Sequence, residues 1–286
     1  MRLCALLVAN VLGLEFGLAE IGYPVPNVYA RAALVVDSTN GTILYEKHAD
    51  EKRAVASTQK LLTALIVSQA GKLDQKVKVE STDTRVEPSK VGIRAGREYP
   101  RLLLLQSLLV KSGNDVARCL ARDHSGGQDA FRPVLNAKAR QLGMGDSHFV
   151  NAHGLTEEGQ ESTARDMAKL AIVAHRDEHI CDAVQLEAVD FPKKGWTDKL
   201  QNSNKLLPLS FVTGMKTGFT NAAGRWLVSS GEFNGREVIV VVLGSNGEHV
   251  WKDSESLLRW ALKVPAEKGA PPPEDEESVK NEADAS

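Results

Sequence analysis

The sequence predicts an α+β fold: one antiparallel sheet built from both ends of the chain, flanked by helices, with a helical lobe inserted between its two halves. Three observations predict it: a strand–turn–strand pattern near the amino terminus, another near the carboxyl terminus, and helical periodicity in between. With 286 residues the chain can bury one full core, as a single unit or as two lobes. A cleft is expected where the sheet meets the helices, because such junctions commonly hold active sites.

Two hairpins supply the predicted sheet. The strand-like runs are Ala32–Val36, Thr42–Tyr45, Arg225–Ser230 and Val238–Leu243. Each pair flanks an Asn-Gly dipeptide, at Asn40-Gly41 and Asn234-Gly235, and both residue types tolerate the positive φ of a tight turn. The late strands are almost continuously apolar, so we expect them in the middle of the sheet.

Helical patterns fill the stretch between the hairpins. They cover Gln59–Ala70, Arg101–Lys111, Asp115–Asp123, Asp129–Leu142 and Thr163–Arg176. Val250–Lys263 forms a last amphipathic helix after the second hairpin. Strands near both ends with helices between them predict one sheet that carries a helical lobe.

Both termini differ in composition from the folded region. Residues 1–19 combine Arg2, an apolar stretch and small residues near Ala19, which predicts a secretory signal peptide and hence a periplasmic or secreted protein. The alternative is an amino-terminal helix that stays in the protein. Residues 20–31 are a predicted linker, residues 32–263 the folded domain, and residues 264–286 a disordered, acidic, proline-rich tail. No downstream segment reaches the ~20 apolar residues of a membrane span.

Composition argues against several partners. The formal net charge is −2, aromatic residues make up 5%, and no basic block occurs, so nucleic acid is not expected to bind. Cys119 and Cys181 fit no metal or redox spacing, and either one disulfide or two unrelated thiols remain open. His175 and His179 would share one helix face, for which a solvated polar face is favoured over zinc. No metal or cofactor is predicted.

The first chemical motif is Ser57-Thr58-Gln59-Lys60, at the start of an apolar helical run. Residues three apart share a helix face, so Lys60 can reach the Ser57 hydroxyl and act as its base if burial and neighbouring cations lower the pKa of the lysine. The free N–H groups of a helix start can also hold an oxyanion. Taken alone, Ser57 could equally be an ordinary helix cap.

The second motif is Ser112-Gly113-Asn114, directly after an apolar helix. The hydroxyl of Ser112 can pass a proton to a leaving amine, and the amide of Asn114 can hold a substrate peptide group. The same three residue types also favour the end of one helix and the start of the next, and for the isolated motif this second interpretation is the stronger.

The third motif is Lys216-Thr217-Gly218, where a strand should begin the carboxyl-terminal part of the sheet. Lys216 offers a fixed positive charge and Thr217 a hydroxyl, a pair suited to a substrate carboxylate. Gly218 would let a ligand backbone approach without a Cβ in the way. The N–H of Phe219 could complete an oxyanion hole with that of Ser57. An ordinary turn is the alternative.

Together the motifs resemble those of the low-molecular-mass penicillin-binding proteins, the serine D-alanyl-D-alanine carboxypeptidase family, with the β-lactamase/transpeptidase-like fold. They occur in the order S-x-x-K, S-x-N, K-T-G, on a helix, a loop and a strand. Further segments resemble the family, and the resemblance runs from about residue 32 to residue 263. These segments are Ala56–Ala64, Leu109–Asp115, Phe149–Leu155, Ala164–Ala168 and Lys216–Gly224.

The resemblance implies an acyl-enzyme formed on Ser57, with Lys60 as general base and Ser112 as proton relay. Asn114 would bind the substrate amide, while Lys216 and Thr217 would bind its terminal carboxylate. Peptidoglycan peptides are the implied substrates, and β-lactams are expected to bind covalently. Gln59 stands where family members often carry Thr.

The length of the chain helps to indicate which kind of family member it resembles. The chain stops soon after its last helix, whereas several family carboxypeptidases continue into a β-rich domain and an amphipathic anchor. It therefore resembles the shorter members without an evident membrane anchor, some of which are endopeptidases that cut cross-linking D-Ala–diaminopimelate bonds. Carboxypeptidase activity is the first expectation and endopeptidase activity the alternative.

Two rival functions differ in kind from a peptidase. A class A-like β-lactamase would need a glutamate that activates water, and no Glu-x-x-x-Asn segment follows Ser112 in the helical region to supply one. A non-enzymatic peptidoglycan-binding scaffold would not need to retain a nucleophile and a base, so the motif residues Ser57, Lys60, Ser112 and Lys216 argue against it.

Overall fold

A computed structural model describes residues 24–265, and within them nine strands and seven α-helices. The strands are β1 Ala32–Asp37, β2 Ile43–Lys47, β3 Lys76–Lys78, β4 Glu98–Pro100, β5 Ala188–Pro192, β6 Thr197–Gln201, β7 Val212–Thr220, β8 Gly224–Phe233 and β9 Arg236–Ser245. The helices are α1 Lys60–Ala70, α2 Arg101–Val110, α3 Asn114–Ser125, α4 Gln128–Gln141, α5 Ala164–His175, α6 Glu178–Gln185 and α7 His249–Leu262.

One antiparallel sheet organises the molecule, and both ends of the described chain build it. Its strand order is β2-β1-β9-β8-β7, and β1 pairs with β9 from Ala32 opposite Leu243 to Asp37 opposite Val238. The predicted α+β class and the sheet built from both chain ends are therefore confirmed. β8 and β9 are interior strands, as their apolar sequences predicted, and β7 is an edge strand.

Both faces of the sheet are covered, which explains the continuous apolar run of β9. Val240 and Val242 pack with Leu257 of α7 on one face. Ile239 and Val241 point to the other face and join the larger core formed with the helical lobe. A strand that is buried on both sides loses the polar alternation of a half-exposed strand.

The sequence patterns missed the shorter elements. α6 has eight residues, too few for a clear helical period, although Asp177 caps it by accepting a hydrogen bond from the N–H of Ile180 at 3.1 Å. His175 ends α5 and His179 lies in α6, so the expectation that both share one helix face is wrong. The small sheets β3–β4 and β5–β6 were not predicted either.

Several expectations concern parts of the chain outside the description. The predicted signal peptide, residues 1–19, and most of the predicted tail, residues 266–286, lie outside the described residues. Within residues 24–265 no helix is both long and apolar enough to cross a bilayer. Cys119 and Cys181 are free thiols, so they do not pair.

Candidate active site

Ser57 lies in a 3-10 helix, Ala56–Gln59, that runs directly into α1 at Lys60. Ser57 is partly exposed, whereas Lys60 is fully buried. One helical turn brings the two side chains together, and Lys60 Nζ lies 2.7 Å from Ser57 Oγ. The S-x-x-K spacing therefore places an amine against the hydroxyl as predicted.

The amine of Lys60 has two further partners, and both can only accept hydrogen bonds. Asn114 Oδ1 lies 2.8 Å from Nζ, and the carbonyl oxygen of His153 is the other acceptor. A neutral amine has two N–H groups and one lone pair. If the two N–H groups bond to these two oxygens, the lone pair is left facing the hydroxyl of Ser57. The site thus suits an amine that accepts a proton from Ser57.

Electrostatics favour the neutral form of Lys60. Burial lowers the pKa of Lys60 well below its usual value of 10.5, and the positive charge of Lys216 lowers it further, while Asp115 opposes both. A buried ammonium loses its hydration, and a second cation nearby disfavours the charge again. The charge of Lys216 thereby favours the unprotonated form of the Lys60 amine, although the two side chains are not bonded to each other.

Two glycines bracket the backbone of Ser57. A Cβ on Gly154, which has φ +83°, would lie 1.9 Å from the carbonyl oxygen of Ala56 and 3.2 Å from Ser57 N. A Cβ on Gly218 of β7 would lie 3.1 Å from the nitrogens of Ser57 and Thr58. Gly218 of the K-T-G motif therefore allows the backbone at Ser57 to approach β7 closely. From the sequence, a ligand backbone was expected to approach there.

The two polar side chains of the S-x-N motif differ in their hydrogen bonding. Ser112 has φ +67°, and its buried Oγ has no hydrogen-bond partner among the described residues. Asn114 begins α3, and its Nδ2 donates to the carbonyl oxygens of Glu87 and Pro88 at 3.0 and 2.9 Å. Asn114 therefore ties Lys60 to the 87–89 loop, and in this structure its amide hydrogens are engaged within the protein.

Asp115 holds the loop at residues 91–93 in place through hydrogen bonds. Its buried carboxylate accepts hydrogen bonds from the N–H groups of Val91, Gly92 and Ile93 at 2.9, 2.7 and 3.1 Å. The three N–H donors replace the hydrogen bonds to water that this carboxylate lost on burial. This anion is also the group that opposes the lowering of the pKa of Lys60.

The K-T-G motif lies on β7, facing the nucleophile. Lys216 is fully buried, and burial lowers its pKa to about 7, so its charge is not fixed at neutral pH as the sequence argument assumed. The hydroxyls of Thr217 and Ser203 lie 2.6 Å apart at the exposed end of the site. Phe219 is 53% exposed, and the guanidinium of Arg225 lies 4.8 Å from its ring centroid.

The sequence patterns did not point to three groups that the structure places at this site: the carbonyl of His153, the carboxylate of Asp115 and the hydroxyl of Ser203. Every residue has a main-chain carbonyl, so the sequence cannot indicate which one will bond to Lys60. Ser203 belongs to none of the three motifs. The side chain of His153 helps to order its own loop. Its Nδ1 accepts from Leu155 N at 3.2 Å, and burial, with the charges of Lys60 and Arg118, lowers its pKa to about 3.

Throughout residues 24–265, no group of three or more His, Cys, Asp or Glu side chains could hold a metal ion. His175 Nε2 lies 3.7 Å from Glu237, and His179 Nε2 lies 3.8 Å from Glu178.

Comparison with known proteins adds family relationships to this geometry. The family model described as D-alanyl-D-alanine carboxypeptidase matches residues 20–247. The D-alanyl-D-alanine endopeptidase of Escherichia coli is 33% identical over 256 residues, which cover 84% of this chain and 81% of that protein. The D-alanyl-D-alanine carboxypeptidase DacC of the same organism is 34% identical over 86% of this chain and 64% of its own length.

A solved structure shares the fold as well. The crystal structure of a D-alanyl-D-alanine carboxypeptidase from Mycobacterium tuberculosis superposes with a TM-score of 0.80 at 29% identity, covering 85% of this chain and 94% of that one. The predicted transpeptidase-like fold class is confirmed by this similarity.

Proposed function

Because the chain belongs to the D-alanyl-D-alanine carboxypeptidase family, we propose that Ser57 is the nucleophile of a serine DD-peptidase that acts on the peptide ends of peptidoglycan. The observation that carries the assignment is the environment of Lys60. Its buried amine touches the Ser57 hydroxyl and otherwise meets only two acceptor oxygens. Such an amine is suited to take the hydroxyl proton as the oxygen attacks.

Acylation begins when Lys60 Nζ accepts the proton of Ser57 and Oγ attacks the carbonyl carbon of the penultimate D-alanine. The negative charge that develops on the carbonyl oxygen is met by the N–H groups of Ser57 and Phe219. Ser57 is the second residue of its 3-10 helix, so its N–H has no acceptor within that helix. The C–N bond then breaks, and the leaving amine receives the proton from Lys60 by way of the Ser112 hydroxyl.

Deacylation uses water in place of the amine. Lys60 takes a proton from the water, the hydroxyl oxygen attacks the ester carbon, and the ester C–O bond breaks. The proton returns to Ser57 Oγ, which restores the enzyme. The products are a peptide shortened by one residue and, for a carboxypeptidase, free D-alanine.

Recognition of the terminal carboxylate is assigned to Lys216, Thr217 and Ser203. The paired hydroxyls lie at the exposed end of the site, and the Lys216 amine is buried beneath. An anion there favours the protonated lysine, whose pKa burial otherwise holds near 7. Binding of the carboxylate therefore restores the positive charge that attracts it.

Endopeptidase activity is the second candidate. It is favoured by the 33% identity to the Escherichia coli D-alanyl-D-alanine endopeptidase, which extends over 81% of that protein. The chemistry at Ser57 is the same in both cases. Only the leaving group differs, a single D-alanine for one and the side-chain amine of a cross-linked residue for the other.

We also propose that the protein acts outside the cytoplasm. Peptidoglycan lies outside the cytoplasm, and the expected signal peptide at residues 1–19 would take the chain there. Amino-terminal sequencing of the mature protein after expression in a bacterium tests it. Cleavage near Ala19 is the expected result, and an intact Met1 in protein recovered from the cytoplasm would refute it.

Ser57→Ala tests the nucleophile. We expect this variant to lose both covalent labelling by a fluorescent penicillin and peptide cleavage, with an unchanged unfolding transition. Ser81→Ala, at an exposed serine whose hydroxyl forms no hydrogen bond with any of residues 24–265, serves as the matched control. Cleavage retained by Ser57→Ala would show that another residue is the nucleophile.

Product analysis separates the candidate activities. Purified cross-linked and uncross-linked muropeptides are digested and resolved by mass. Release of free D-alanine alone supports the carboxypeptidase, and conversion of dimers to monomers supports the endopeptidase. Fast turnover of penicillin in place of a long-lived adduct would indicate a β-lactamase, and absence of any labelling of the wild type a scaffold.

A further inference from the structure

A short loop, residues 150–155, lies against the segment that carries the nucleophile. Three consecutive carbonyl oxygens of this loop accept hydrogen bonds from three side chains at the start of α1. The three pairs are Gln59 Nε2 with Asn151 O, Thr63 Oγ1 with Ala152 O at 2.8 Å, and Lys60 Nζ with His153 O. The contact of the proposed base is therefore one of a row of three.

Gln59 and Thr63 are fully buried polar residues without an assigned part in the chemistry. They are four positions apart at the start of α1, so they share a helix face next to Lys60. Gln59 Oε1 has no hydrogen-bond partner among residues 24–265, and a buried oxygen without one costs free energy. Stability alone therefore does not account for a glutamine here, whereas the bond from its Nε2 to the loop does.

The residues of the loop are bonded to one another. Asn151 Oδ1 accepts hydrogen bonds from the N–H groups of His153 and Gly154 at 3.2 and 2.8 Å. Gln160 Oε1 accepts from the N–H groups of Val150 and Asn151, both at 3.1 Å. A displacement of the carbonyl of Asn151 is therefore passed on to that of His153.

The carbonyl of His153 helps to set the direction of the Lys60 lone pair. A neutral amine gives one N–H to this carbonyl and the other to Asn114 Oδ1, which leaves the lone pair facing Ser57. If the carbonyl of His153 moves away, the amine is free to rotate. The lone pair then no longer faces the hydroxyl from which it must take a proton.

We propose that Gln59 and Thr63 are positioning residues: by holding the carbonyls of Asn151 and Ala152, they keep the carbonyl of His153 where it directs the amine of Lys60 at Ser57. Gln59 stands where family members often carry Thr, whose hydroxyl ends two bonds closer to the backbone. The bond to Asn151 thus depends on the long side chain in this sequence. The proposal rests on the proposed function, since it concerns the base of the same reaction.

Gln59→Met tests the proposal, because methionine has a similar length and no donor. The variant exchanges one buried oxygen without a partner, Gln59 Oε1, for another, the carbonyl oxygen of Asn151, so the unfolding transition should change little. The rate of acylation by a fluorescent penicillin, measured per folded molecule, should fall by roughly tenfold or more. A loss of less than about threefold overturns the proposal.

The pH dependence of acylation separates positioning from a general loss of packing. A carbonyl oxygen that accepts from Nζ favours the charged amine, so its displacement lowers the pKa of Lys60. The acid limb of the profile should therefore move to lower pH in Gln59→Met, since the charges of Lys216 and Asp115, which also act on Lys60, are unchanged. A reduced rate with an unmoved acid limb also overturns the proposal, because the loss would then not pass through Lys60.

Two substitutions of Thr63 test the neighbouring carbonyl, and they decide the matter if Gln59→Met does not fold. Thr63→Val keeps the shape without the hydroxyl and should show the same loss and the same shift. Thr63→Ser keeps the hydroxyl and should stay within about threefold of the wild-type rate. Equal rates in the two variants overturn the proposal.

Gln185→Met is the control. Gln185 is exposed on α6, and its Nε2 also donates to a main-chain carbonyl, that of Cys181 at 3.1 Å. This variant should keep the wild-type rate and pH profile. Loss of acylation in Gln185→Met as large as in Gln59→Met would overturn the assignment to the 150–155 loop.

Failure of the positioning role and failure of the proposed function give different results. Wild-type acylation in Gln59→Met and Thr63→Val refutes the positioning role while the protein still reacts with penicillin and cleaves peptides. A wild type that is not labelled by penicillin and cleaves no D-alanyl-D-alanine peptide refutes the DD-peptidase itself.

Discussion

Replacing Gly154 by alanine should displace the nucleophile without touching any side chain of the site. The new Cβ would lie 1.9 Å from the carbonyl oxygen of Ala56, whereas carbon and oxygen normally approach to about 3.3 Å. The peptide between Ala56 and Ser57 must therefore move by more than about 1 Å. Gly154 also has φ +83°, a conformation that costs an alanine roughly 1–2 kcal/mol.

The two effects should be visible in different measurements. Backbone strain lowers the free energy of unfolding, measured by urea titration. Displacement of Ser57 lowers the rate of acylation by a fluorescent penicillin, and a misplacement of about 1 Å at a reacting group costs roughly 100-fold. We expect both losses in Gly154→Ala, with the acylation rate measured per folded molecule.

Gly143→Ala is the matched control. Gly143 has φ +69°, but a Cβ there would meet nothing within 4 Å. This variant should lose stability by about the same 1–2 kcal/mol while it retains the wild-type acylation rate. Subtracting its stability loss from that of Gly154→Ala isolates the cost of the collision with the Ala56–Ser57 peptide.

Wild-type acylation by Gly154→Ala would refute this account, because it would mean that the position of the Ser57 backbone is not set by the close approach of Gly154. If the variant does not fold, Gly218→Ala tests the same peptide from the side of β7. Its Cβ would lie 3.1 Å from Ser57 N, so the neighbour must yield by only a few tenths of an ångström. A loss of roughly tenfold in acylation with little change in stability is expected there.

Three further variants test the electrostatics. Lys60→Met removes the proposed base, and penicillin acylation should fall by roughly 10²–10⁴-fold in time courses at neutral pH; a smaller loss would assign the base elsewhere. Asp115→Asn removes a charge that raises the pKa of Lys60, so the acid limb of the acylation pH profile should move to lower pH, and a move to higher pH would contradict the assignment. Since burial lowers the pKa of Lys216 from 10.5 to about 7, the unfolded chain binds more protons than the folded chain between these values, and stability rises with pH there. The free energy of unfolding of the wild type minus that of Lys216→Met should increase by on the order of 3 kcal/mol from about pH 7 to about pH 10 in urea titrations, and a flat difference would mean that this lysine keeps its ordinary pKa.

The long elements of the fold could be predicted because their patterns are strong and local. The first hairpin shows both strand runs and the Asn40-Gly41 turn, and α1 was predicted to begin at Gln59, one residue before its observed start. α6 was not predicted because its eight residues form barely two turns, too few for a clear helical period. The capping residue Asp177 is the only sequence signal at its start. One sheet built from both chain ends was expected, whereas the sequence patterns did not say which strand of the first hairpin would pair with β9.

At the proposed site, the contact between Lys60 and Ser57 could be predicted from the sequence, and several other contacts could not. Lys60 meets Ser57 because helix geometry fixes the spacing, whereas the contact between Lys60 and Asn114 crosses 54 positions and was not predicted. The carbonyl of His153 could not be foreseen, because any residue at that position offers the same oxygen. A close approach to Gly218 was predicted correctly from its lack of a Cβ. That the approaching group is the backbone of the 3-10 helix depends on how this helix packs against β7, which the sequence does not show.

β7 closes one side of the five-stranded sheet, and two other elements pack closely against it. α6 lies against it at Gly214, where a Cβ would come within 2.6 Å of Val184, and the 3-10 helix lies against it at Gly218. The 3-10 helix that carries Ser57 therefore takes part in the packing of this strand, and a substitution that loosens it should lower the free energy of unfolding together with the acylation rate.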